Sequence, residues 1–74
     1  MTRLSSLPAA TRARVVLITS DLRDRSDQLA SLGISAGSEI ELLQRSPAYV
    51  VQAGETRIAL DDEIARYIFV QRET

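Results

Sequence analysis

The stretch from Leu29 to Leu42 constrains this chain more than any other. It reads as a helix end, a hard stop, a turn and the start of a strand. Leu29 and Leu32 are three apart, on one helical face. Gly33 stands where a helix commonly passes into the left-handed region, which a residue without Cβ enters at no steric cost. Ile34 follows directly, placed to fold back on the last helical turn. Ala36-Gly37 then turns the chain, and Glu39-Ile40-Glu41-Leu42 alternates polar and apolar with the period of a half-buried strand. A small sheet packed on one helix is the expected outcome.

The same patterns organise the rest. Leu4 and Leu7 face inward from one short helical turn, which Pro8 ends by restricting the residue before it. This predicts a docked N-terminal arm. Arg12 to Thr19 contains the β-branched run Val15-Val16-Leu17-Ile18 and predicts the first strand, with Ala13, Val15 and Leu17 on one face and Arg14 and Val16 on the other. Ser20 to Leu32 predicts the helix, capped by Ser20 or Asp21, with a narrow apolar stripe at Leu22, Leu29 and Leu32. Asp21 and Arg25 sit four apart with the acid first, the favourable order.

Ser38 to Arg45, Tyr49 to Ala53 and Thr56 to Leu60 read as the next strands. Pro47 marks one turn, and Gly54-Glu55 marks a tight hairpin. Asp61-Asp62-Glu63 caps a single helical turn. Tyr67 to Val70 closes the fold, and Gln71 to Thr74 is expected to fray. The order is that of a mainly β, small, partly open barrel of about five strands with one inserted helix after the first, in a single domain spanning residues 1–74. An open α+β sheet with the helix across one face is the alternative.

Composition limits the chemistry. Nine arginines, with no lysine, face ten acids for a formal charge of −1, which argues against a general nucleic-acid binder. There is no Cys and no His, so the thiolate metal site and the commonest metal ligand and general base are all absent. The three glycines read as turns, not as a phosphate loop. Neither a catalytic site nor a cofactor or iron site is expected, and the acidic run at Asp61 reads as a cap. No stretch resembles a signal peptide or membrane span, so a cytoplasmic location is expected.

Leu29-x-x-Leu32-Gly33-Ile34-x-Ala36-Gly37-x-x-Ile40 resembles the Leu-Gly-Leu-x-Pro-Gly signature of the FeoA domain family. Leu4-x-x-Leu7-Pro8 with Ala13-x-Val15, Gly54-x-x-Arg57-Ile58-Ala59-Leu60, and Ile64-Ala65-x-x-Ile68-x-Val70 resemble further family marks, so the likeness runs from Leu4 to Val70. Ala36 replaces the usual Pro, Ala10 a common Gly and Asp61 a frequent Arg, and the loop holding Pro47 is shorter than most. The resemblance implies an SH3-like barrel and a non-enzymatic accessory or regulatory protein of ferrous iron transport. It also implies a partner, the cytoplasmic G-protein domain of the membrane transporter FeoB, with membrane contact only through that partner. The same domain ends metal-dependent repressors of the diphtheria-toxin-regulator type. The alternative is therefore a binding module of another system, a metalloregulator-type domain or a small-barrel nucleic-acid binder. Candidate partner contacts are Leu22, Arg23, Arg25 and Gln28 on the helix and Pro47 and Tyr49 at the hairpin. Open edge strands leave a weak homo-oligomer open.

Overall fold

The polar–apolar alternation becomes one antiparallel sheet. The computed structural model describes residues 1–19 and 23–73. Its elements are β1 (Thr2–Arg3), a 3₁₀ turn (Leu4–Ser6), β2 (Thr11–Ile18), α1 (Arg23–Ser31), β3 (Glu39–Gln44), β4 (Tyr49–Ala53), β5 (Thr56–Leu60), α2 (Asp62–Ala65) and β6 (Ile68–Arg72). The six strands lie in the order β1-β6-β2-β3-β4-β5, which leaves β1 and β5 at the edges. All pairings are antiparallel. The sheet curls around Ala13, Val15, Ile40, Leu42, Val51, Ile58, Leu60, Ile68 and Val70, with Leu4, Leu7, Leu29, Ile34 and Ala65 completing the core.

The helix exit matches the expectation from its sequence. Gly33 has φ +95°. Its N–H donates to Ala30 O at 3.0 Å, and the N–H of Ile34 donates to Leu29 O at 2.9 Å. Those paired bonds satisfy the last carbonyls of the helix and return Ile34 onto Leu29, both buried. Gly37 (φ +92°) turns the chain again, and its N–H donates to Val15 O at 2.7 Å. In the N-terminal arm, Leu7 is extended (φ −77°, ψ 136°), as a residue before proline requires.

Four details depart from the sequence-based expectation. Leu17 faces outward, because the β2–β6 register shifts between Val15 and Leu17 and moves the inward position to Ile18. A bulge inserts a residue and so inverts the period beyond it. Leu32 lies in the turn after α1 and is half-exposed. β6 continues to Arg72, where fraying was expected, because Ala13 and Arg14 of β2 pair with Arg72 and Gln71. The short strand β1 is additional to the five expected, paired through Thr2 with Val70 and Arg3 with Phe69. The expected helix start, with its caps Ser20 and Asp21 and the Asp21–Arg25 pair, lies outside the described residues or side chains.

Candidate partner-binding surface

The five candidate contacts that the structure describes fall on two regions, with α2 between them. On the first, Leu22 lies outside the described residues, as do the side chains of Arg23 and Arg25. Gln28 is exposed on α1. Together with Leu29 and Leu32 it lines one wall of a cleft of about 250 Å³, whose other wall is Ile58, Ala59 and Leu60 of β5 with Ile64 of α2. The narrow stripe of α1 creates this cleft. Leu29 reaches the core, but no second buried residue in the described part of the helix draws α1 down onto the sheet.

The second region is the β3–β4 hairpin. Pro47 is exposed at its tip, after a cis peptide bond from Ser46. Tyr49, in contrast, is only 9% exposed. Its hydroxyl donates its single proton to Asp62 Oδ1 at 3.1 Å, and Ser5 O lies at the outer limit of contact, 3.5 Å. The Arg45 guanidinium lies 5.8 Å from the Tyr49 ring centroid. It donates to Leu7 O at 2.6 Å and to Ser5 O at 3.0 Å. Tyr49 thus holds the fold together here, and its ring edge adds little surface for a partner.

Sequence reasoning missed this network because it joins residues about forty positions apart. The acidic run does cap α2, as expected: Asp61 Oδ1 accepts from Ile64 N at 2.9 Å. Asp62 also accepts from Arg66 Nη2 at 2.6 Å and Nε at 3.1 Å. The Arg66 hydrogen bond, then that from Tyr49, holds its carboxyl below the usual aspartate range. All its ligands are therefore internal. Among the described residues no group of His, Cys, Asp or Glu converges as a metal site would require, and no helix is long and apolar enough to cross a membrane.

A further exposed surface arises from the bulge. Leu17 is 47% exposed and lies opposite Phe69, which itself lies opposite Arg3. The Arg3 guanidinium sits 5.7 Å from the Phe69 ring centroid. Val16 beside them is also exposed.

The family model for the FeoA domain matches residues 2–72. The chain belongs to the FeoA domain family. Its fold is accordingly SH3-like, and its class is that of small proteins related to ferrous iron transport. That family is one of accessory and regulatory domains and is not known as an enzyme family. Stenotrophomonas maltophilia FeoA, described as a prokaryotic SH3 domain protein and solved with zinc, is 31% identical with a TM-score of 0.74; the match covers 99% of this chain and 96% of that one. Chlorobium tepidum FeoA superposes with a TM-score of 0.87 at 24% identity, covering 99% of this chain and 71% of that one. T. acidophilum IdeR matches with a TM-score of 0.87 and 25% identity over 97% of this chain but only 34% of its own length. A comparison with curated proteins finds no match.

Proposed function

We propose that this chain is a cytoplasmic accessory protein of ferrous iron transport that binds the G-protein region of the FeoB transporter and touches the membrane only through it. The observation that carries this reading is the family match across residues 2–72, nearly the whole domain. The absence of His and Cys from the sequence supports a binding role over a catalytic one. The contact surface of this proposal is α1, through Arg23, Arg25 and Gln28, together with Leu22, which lies outside the described residues, and with Pro47 and the rim of Tyr49 as a secondary contact.

The test is titration calorimetry of the purified chain against the transporter's cytoplasmic G-protein domain, with GDP and with a GTP analogue. Nucleotide-sensitive binding is expected. The double variant Arg23→Glu/Arg25→Glu should weaken it by about tenfold or more, since reversing charges at a complementary surface costs on the order of 1–2 kcal/mol. Its circular dichroism should be unchanged. Unaltered affinity would remove α1 from the proposed surface.

The likeness to IdeR favours a second reading, a regulatory module of a metalloregulator. That reading predicts no retention on the G-protein domain. Salt-sensitive binding of single-stranded RNA would instead favour a nucleic-acid module, which the net charge of −1 argues against.

A further inference from the structure

β5 is an edge strand of five residues with neither a bulge nor a proline, and no strand pairs with its outer side among the described residues. Gly54-Glu55 joins it to β4 as a two-residue loop in which only Gly54 has positive φ (+62°), the pattern of a type II′ turn. That turn fixes which backbone groups point where. Ala53 and Thr56, flanking the loop, exchange hydrogen bonds, and pairs then alternate along the ladder. Val51–Ile58 and Tyr49–Leu60 are therefore bonded pairs, whereas Gln52–Arg57 and Val50–Ala59 are not. The N–H and C=O of Arg57 and Ala59 consequently point away from the sheet. Gln28, Leu29 and Leu32 face this edge across a cleft of about 250 Å³, and among the described residues no backbone group of α1 bonds to Arg57 or Ala59. Asp61 prolongs the extended conformation by one residue (φ −79°, ψ 168°).

We propose that two copies of this chain pair through β5, antiparallel about Ala59, into a weak two-fold dimer with a continuous sheet. The charges select the register. Centring the pair on Arg57 sets two guanidiniums face to face. Centring it on Ile58 sets Glu55 opposite Asp61 on both sides. Centring it on Ala59 sets Arg57 opposite Asp61 on both sides, where opposite charges attract. In that register Ala59 exchanges both of its backbone bonds with its own copy. The Asp61 N–H of each chain reaches the Arg57 carbonyl of the other. Ile58 meets Leu60 on the core-facing side, next to the apolar cleft. The joined surface is small, so the dimer belongs with weak associations.

Sedimentation equilibrium of the intact chain from micromolar to millimolar concentration tests this. A reversible monomer–dimer equilibrium in the sub-millimolar range is expected. Ala59→Pro deletes an outward N–H without touching the β4–β5 ladder, and should leave only monomer. Arg57→Asp opposes two carboxylates twice and should raise the dissociation constant by about tenfold, more at low salt. It alters an exposed side chain, so it keeps the test sharp if the proline variant does not fold. Amide exchange at Ala59 should slow with rising protein concentration while that at Ile58 does not change. A chain that stays monomeric at millimolar concentration, or a dimer indifferent to both variants, overturns the proposal.

Discussion

Ala10 is the one non-glycine residue with positive φ (61°) among the described residues, and it is exposed. Its N–H donates to Leu42 O at 2.6 Å, so the backbone is held there by the sheet. A Cβ in the left-handed region costs roughly 1–2 kcal/mol, partly offset in glycine by the larger entropy it loses on folding. Ala10→Gly should therefore stabilise the domain by about 0.5–1 kcal/mol, read as a higher urea midpoint at unchanged slope. Asp62 makes the second argument at this scale. Arg66 and Tyr49 favour its charged form, so its folded pKa lies below the unfolded one. Stability from this group is complete above the unfolded value of about 3.9 and is lost as pH falls through the lower folded value. In denaturation curves, wild type should exceed Asp62→Asn at pH 6, and the gap should close as the pH drops below about 4. A gap constant down to pH 2 would mean that the carboxylate charge contributes nothing.

At the scale of elements, the helix exit was legible because its logic is local. Gly33 and Ile34 sit only three and five residues from the carbonyls they bond, and spacing alone announces them. The same holds for Ile40 and Leu42, and for the hairpin at Gly54. Long-range effects were not legible. Leu17 turns outward because of how β2 meets β6, fifty residues away in sequence, and β1 exists only because Val70 and Phe69 lie beside it. Of the candidate contact residues only Leu22 carried a periodic signal, as part of the stripe with Leu29 and Leu32; the others carried none, since a partner surface is specified by its partner. Tyr49 shows the limit: an aromatic at a hairpin reads as a contact, yet its hydroxyl is spent on Asp62. Substitution at the helix exit tests the local logic. A Cβ on Gly33 would meet Ala53 Cβ at 3.4 Å, whereas one on Gly37 would meet nothing within 4 Å. Both substitutions carry the left-handed penalty of roughly 1–2 kcal/mol. Gly33→Ala should be the more destabilising of the two in thermal melts, because its Cβ arrives at close contact with Ala53 Cβ in β4 whereas that of Gly37 enters open space.

At the scale of the whole molecule, the N-terminal arm belongs to the core. Leu4 and Leu7 are 0% and 1% exposed, as deeply buried as any strand residue. Arg45 fastens the arm by bonding the carbonyls of Ser5 and Leu7. The 3₁₀ turn thereby covers the end of the open sheet next to β6 and α2. A 74-residue domain has a total stability of roughly 4–11 kcal/mol at the usual 0.05–0.15 kcal/mol per residue. Replacing one fully buried leucine with alanine costs about 2–5 kcal/mol. Either Leu4→Ala or Leu7→Ala alone should then leave a folded domain with a lowered midpoint. The double variant loses about 4–10 kcal/mol if the two costs add, which consumes most or all of the total. Circular dichroism at 25 °C should show the double variant largely unfolded and both single variants folded. A double variant that melts within a few degrees of the singles would mean the arm is an accessory cover, and that the strands close the core without it.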